Sequence, residues 1–154
     1  MKRAWILFFA VFLTLVISGQ DTDPGTQKYT LKTGVFAPAF GIISLALEKP
    51  VSENSSLQGQ MLVLYEDFGI GFFLDYRFYL SSTAAPDGIF VSLFQGFSVS
   101  DDFIAGTGLV IGKQKIFKEK FSIEAFIGPV VVYGPDMSRA MVMIRPGLTL
   151  GWVF

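Results

Sequence analysis

The sequence closes on AMVMIRPGLTLGWVF, Ala140–Phe154, and the fold is decided by how that stretch is read. Val142, Ile144, Leu148, Leu150, Trp152 and Phe154 share one parity, while Met141, Met143, Arg145, Gly147, Thr149 and Gly151 share the other. Near the end of the stretch, only Val153 is bulky and apolar on the second set. A β-strand sends successive side chains to opposite faces, so these residues predict a strand with one apolar face and one mixed, partly polar face. It stops on an aromatic residue, an ending expected of a strand that closes a barrel against lipid rather than of a strand facing water.

Upstream, the same two-residue period recurs. Ile70–Leu80 carries it most clearly, with Ile70, Phe72, Leu74, Tyr76, Phe78 and Leu80 set against Gly71, Phe73, Asp75, Arg77 and Tyr79. Similar runs are expected at Lys28–Ala37, Phe40–Lys49, Ser55–Glu66, Ile89–Ser100, Phe103–Gln114 and Phe121–Tyr133. Turn-forming residues separate them: Pro38 and Gly41, Pro50–Asn54, Asp67–Gly69, Ser81–Gly88, Asp101-Asp102, Lys115–Lys120 and Gly134–Ser138. Counting the closing stretch gives eight strands. Connections this short force antiparallel neighbours, since a parallel crossover needs about a dozen residues or more. No run beyond the N-terminal segment has a helical period, so the expected fold is all-β.

The first 27 residues are different. Lys2 and Arg3 precede the nearly unbroken apolar run Ala4–Ile17, and Ser18 and Gly19 are small. This is the pattern of a cleaved secretory signal peptide, 1–19, followed by a polar leader, 20–27, and a single barrel domain, 28–154. The apolar run is short for a helix that spans a bilayer in about 20 residues, which disfavours the alternative of a retained anchor.

Composition restricts the chemistry. Hydrophobic residues are 51 % of the chain, charged residues 16 % and aromatics 16 %, with 17 Phe. There is no Cys and no His. That removes disulfides, thiolate nucleophiles, serine triads built on His, and His-bearing metal sites. The net charge of -1 gives no reason to expect nucleic acid.

Eight antiparallel strands fit either a soluble barrel or a barrel in a membrane. The contents of the two faces separate them. A soluble barrel points its bulky residues inward, whereas a membrane barrel points them at lipid and keeps polar or small residues inside. Here the bulky parity is almost wholly Ile, Leu, Val, Phe, Tyr and Trp. The other is rich in Gly, Ser and Ala with isolated charges: Lys32, Glu48, Asp75, Arg77, Glu124 and Arg145. Three acids balance three bases, as an enclosed network requires. These six residues are therefore the candidate interior charge network of a closed, up-and-down, eight-stranded transmembrane β-barrel. The alternative is a periplasmic lipocalin-like barrel with its apolar residues turned in on an apolar ligand. A weaker alternative is a lipid-modifying barrel enzyme using a carboxylate pair, Asp75 with Glu48 or Glu124.

The N-terminal segment, the alternating strands and the ending LTLGWVF together resemble the small outer-membrane β-barrel proteins of Gram-negative bacteria. So do Tyr76–Leu80 (YRFYL) and Gly108–Phe117 (GLVIGKQKIF), which resemble uncharacterised single-domain barrels of that kind. The resemblance implies a location in the outer membrane with lipid as the surrounding partner; a monomer is the expected state of such a closed barrel. The resemblance also implies that Leu150, Trp152 and Phe154 form the signal recognised by the barrel-assembly machinery. Such families have no settled activity to carry over; the lack of His and Cys and a packed, charge-balanced interior are what predict a structural or envelope-interaction role, with no catalytic residue, metal or cofactor and no large pore.

Other motifs have simpler explanations. Gly106-Thr107-Gly108 with Gly112 has the look of a phosphate loop but sits in a strand with no helix after it; inward glycines are expected to make room for Phe73, Phe94 and Phe126. Asp101-Asp102 reads as turn chemistry in preference to a calcium site. Tyr65, Phe68, Phe72, Tyr76, Phe78, Tyr133 and Trp152 read as girdles at the two membrane interfaces.

Overall fold

The computed structural model describes residues 29–65, 68–80, 85–135 and 137–154. The expected signal peptide and leader lie outside them. Among the described residues, eight strands form one closed antiparallel barrel in sequential order. They are β1 (Thr30–Gly34), β2 (Ile42–Ser52), β3 (Ser55–Leu64), β4 (Gly69–Tyr79), β5 (Gly88–Val99), β6 (Phe103–Phe117), β7 (Phe121–Tyr133) and β8 (Met141–Val153).

Side-chain direction follows the alternation in the sequence. On β4, Asp75, Arg77 and Tyr79 are buried while Leu74, Tyr76 and Phe78 are about half exposed, at 53 %, 50 % and 49 %. On β8, Leu150 and Trp152 face outward and Val153 is buried. The bulky parity is thus the outer surface of the barrel. Gln95 and Thr107, neighbours across β5 and β6, are polar residues on that outward set.

The strands are staggered around the ring. Ladder partners run from Leu31 through Leu47, Gly59, Leu74, Gln95, Thr107 and Val131 to Val142. The β1–β8 register would bring Val142 back to position 41, well above the start, and this offset is the shear that tilts the strands of a closed barrel. β1 does not reach that far. It ends at Gly34 and passes into a 3-10 turn, Ala37–Phe40, which closes on Gly41 in the left-handed conformation at φ 71°. The last β1–β8 link beyond the strand is Val35 N–H donating to the Leu148 carbonyl at 2.9 Å. Two residues further along that edge stands Pro146, which has no N–H to leave unpaired. Val142 and Ile144 beyond it are 74 % and 67 % exposed, the most open apolar side chains in any strand described.

The bounds expected from sequence need correcting at three places. The first run is far shorter than Lys28–Ala37, because Pro38 starts a helical turn instead of ending a strand. Pro50 belongs to β2, where a register shift between Pro50 and Ser52 absorbs it, so the turn is confined to Ser52–Ser55. β6 runs on to Phe117, leaving Lys118–Lys120 as the turn, with Lys118 and Glu119 at positive φ.

Glycines and aromatics divide the interior between them. Phe73 lies opposite Gly96, Phe90 opposite Gly112, Phe94 opposite Gly108 and Phe126 opposite Gly147 on the adjacent strand. In each pair the ring occupies the space that a side chain on the glycine would need. The rings of Tyr79, Phe90 and Phe94 are completely buried, with Val110 among them. The expected role of the inward glycines is therefore observed. Gly147→Ala should lower the stability of the barrel by about 1–3 kcal/mol through overpacking against Phe126. Combining it with Phe126→Ala should recover part of that loss, measured as a shift in the denaturant midpoint; strictly additive losses would contradict the ring-over-glycine packing.

Candidate functional site

The six interior charges expected from sequence all reach the barrel lumen, and they form two groups. Lys32 on β1, Glu48 on β2, Arg77 on β4 and Glu124 on β7 make the larger one. Every side chain in it is at most 2 % exposed. The Lys32 ammonium pairs with Glu48 at 2.6 Å and with Glu124, and donates to Gln114 Oε1 at 2.5 Å. The Arg77 guanidinium grips Glu124 with two bonds, Nη1 to Oε2 at 2.6 Å and Nη2 to Oε1 at 3.0 Å. Its approach to Glu48 is looser, 3.8 Å. Two hydroxyls complete the shell of Glu48: Tyr79 donates at 2.7 Å and Ser56 donates to the same oxygen. The cluster has two positive and two negative charges and is neutral as a whole.

The second group is Asp75 with Arg145. Their closest approach is 3.5 Å, and each has an amide neighbour: Gln58 donates to Asp75 at 3.3 Å, and Arg145 donates to Gln60 at 2.8 Å. Arg145 sits in a cage of three rings, with its guanidinium carbon 4.3 Å from the Phe94 centroid, 5.1 Å from Phe126 and 5.6 Å from Phe73. Arg77 stands similarly over Phe90 at 4.6 Å. Planar, weakly hydrated guanidinium groups suit such faces better than ammonium groups do.

One pairing differs from the expectation. On the sequence alone, Asp75 and Glu48 are the expected counter-charges of Arg77, and Glu48 does lie within 3.8 Å of it. In the barrel its main partner is Glu124, and Asp75 is matched by Arg145. The reason is the stagger: side chains that meet across the lumen come from strands whose relative height is set by the whole ring, which strand-by-strand alternation does not reveal. Tyr79, Ser56, Gln58, Gln60 and Gln114 also belong to the network. The signal available for them was their place on the inward parity, not their residue type.

Chemically, this arrangement immobilises charge. Each carboxylate is met by a cation, and the side chains come from five of the eight strands. Among the described residues no group of His, Cys, Asp or Glu is placed to hold a metal ion. On the outer surface, Leu150, Trp152 and Phe154 line one side of β8. Phe154 closes the ring by exchanging backbone bonds with Tyr29, at 2.8 and 2.9 Å, and stacks on its side chain.

No protein-family model and no curated protein sequence matches the chain. Among solved structures, the N-terminal β-barrel domain of Pseudomonas aeruginosa OprF is similar, with a TM-score of 0.51 and 16 % identity, over 83 % of this chain and 96 % of that one. The likeness is one of fold: an eight-stranded antiparallel barrel.

Removing one member of the buried cluster strands its partners. Glu124→Ala should cost about 3–5 kcal/mol of stability by leaving Lys32 and Arg77 short of a counter-charge. Arg77→Ala should cost a comparable amount. The double variant should lose much less than the sum in a denaturant titration, and additivity would show that the pair is not coupled.

Proposed function

We propose that the protein is a monomeric outer-membrane β-barrel with a structural or envelope-interaction role, delivered across the inner membrane by a cleaved signal peptide. One observation carries this: one parity of every strand turns large apolar side chains out of a closed sheet, while the charged residues, with a few aromatic rings packed over glycines, are held inside. In water such a surface would be unfavourable. In a bilayer it is the required one, because closure leaves few backbone groups unpaired and the outward residues meet hydrocarbon. The similarity in fold to the OprF barrel domain is consistent with it.

The interior supports a solid barrel, with no large pore. The cross-lumen ion pairs and the Phe-caged Arg145 fill the space that conduction would need, since eight strands enclose little more than their own side chains. We assign no catalytic residue: the carboxylates are spent on neutralising cations. Leu150, Trp152 and Phe154 are read as the signal for the barrel-assembly machinery, and surrounding lipid as the partner in the finished state. The lipocalin-like alternative would need the bulky parity inside, around an apolar ligand.

Leu74→Arg tests the membrane assignment. An arginine on the lipid face near mid-bilayer costs roughly 2–4 kcal/mol, so this variant should lose heat-modifiable migration and drop out of the membrane fraction. An unaffected Leu74→Arg barrel, or a wild-type protein recovered in soluble form without detergent, would overturn the proposal. Steady large conductance in planar bilayers would overturn the solid interior.

A further inference from the structure

The surface charges are not spread evenly. At the end of the barrel bearing Tyr29 and Phe154, the described residues include Lys49, Lys113, Lys115, Lys118 and Lys120, set against Glu53, Asp87 and Glu119. At the opposite end they are Asp101, Asp102 and Arg139. One end is therefore basic. Four of its five lysines belong to the last turns of β6 and the Lys118–Lys120 turn that follows, and all four are exposed. Lys113 and Lys115 are on the outward parity of β6, beside Ala125 and Ile123 of β7. Lys115 shares a surface ion pair with Asp87 at 3.0 Å.

Directly beside this cluster the outer wall is grooved. A groove of about 330 Å³ runs between Phe117, Phe121, Ile123 and Leu150, over the backbone of Ser122 and Gly151. It is bounded at the barrel end by the lysine-bearing turn, which is tied to β8 by Val153 N–H donating to the Lys120 carbonyl at 2.8 Å. Trp152 flanks it, edge-on to Phe121 with ring centroids 4.8 Å apart. An apolar groove that ends under a patch of ammonium groups matches one kind of molecule: an apolar chain joined to an anionic head.

We infer that this surface is a binding site for an anionic phospholipid, with an acyl chain along the Phe117–Leu150 groove and the phosphate held by Lys113, Lys118 and Lys120. This rests on the membrane assignment above and adds to it a lipid preference at one leaflet and one face. Lysine stems lie along apolar surface while their ammonium groups reach the headgroup level, and each such cation near an anionic surface contributes appreciably to attraction. The occupant must come from the leaflet at the end bearing Tyr29 and Phe154, because the groove opens beside the lysine-bearing turn at that end.

Trp152 makes the site directly readable. The sequence has two tryptophans, so in the full chain carrying Trp5→Phe it is the sole one. That chain is refolded into phosphatidylcholine vesicles containing, at equal mole fraction, either phosphatidylglycerol or phosphatidylcholine brominated on the acyl chain. Quenching by brominated phosphatidylglycerol should exceed that by brominated phosphatidylcholine by about threefold or more. In Lys113→Gln/Lys118→Gln/Lys120→Gln the ratio should fall to one. Raising the salt to about 1 M, where the screening length is about 3 Å, should lower it in the unsubstituted lysine background, which decides the matter even where the triple variant fails to fold. Equal quenching by the two lipids in low salt overturns the site while leaving the barrel in the bilayer. A preference that survives both salt and the triple substitution overturns the lysines as its cause. Absence of quenching by either lipid overturns the membrane assignment along with the site.

Discussion

A charge sealed inside an eight-stranded barrel has nowhere to find its counter-charge except across the lumen, and that constraint shapes this molecule. Lys32, Glu48, Arg77 and Glu124 come from β1, β2, β4 and β7; Lys32–Glu48 joins adjacent strands, whereas the pairs of Glu124 with Lys32 and Arg77 join strands that are not neighbours in the sheet. The ladders fix each strand to the next. The cluster fixes opposite walls to each other. Buried ion pairs of this kind contribute little net stability, because the cost of removing two charges from water offsets most of their attraction. Their effect is on which arrangement forms. A one-residue slip in any of these strands would turn its charge out of the lumen and its neighbouring hydrophobe in, leaving the remaining charges unmatched.

Space imposes the second condition. Four inward rings, Phe73, Phe90, Phe94 and Phe126, could not be held in so narrow a lumen if the positions opposite them bore side chains. Gly96, Gly112, Gly108 and Gly147 meet that need one for one. The rings in turn supply the faces on which the guanidinium groups of Arg77 and Arg145 rest. Packing and electrostatics are thus coupled: a glycine on β8 sets the place of Phe126, and Phe126 helps to cage Arg145.

Much of this was legible in the sequence, for a definite reason. A strand has a period of two, so the direction of Leu74 against Asp75, or of Leu150 against Gly151, follows from counting. That alone yields the eight strands, the outward apolar set and the six inward charges. What counting does not yield is relative height. The shear of the ring decides that Arg77 meets Glu124 while Asp75 meets Arg145, and shear is a property of closure, not of any one strand. Local chemistry obscured the rest. Pro38 reads as a strand breaker but begins a 3-10 turn, and Pro50 reads as a turn residue but is carried in β2 by a register shift.

The shortness of β1 ties these points together at the seam. A strand of five residues is enough to place Lys32 in the lumen and to pair Thr30–Gly34 with β8 as far as Thr149. It is too short to cover the upper part of β8, where Leu148 receives the last link from Val35. In the bilayer proposed for this barrel a free N–H at a sheet edge would be costly, and the first β8 residue facing that edge beyond Leu148 is Pro146, which has none. Closure at the other end is complete, through the paired backbones of Tyr29 and Phe154. The seam is therefore firm at the end nearer the buried charge cluster, and looser toward Met141 and Met143, which are about half exposed. The same terminal segment that closes the ring, Leu150–Phe154, also walls the groove beside the basic turn, so the position of Phe154 on Tyr29 bears on the inside and the outside of the barrel together.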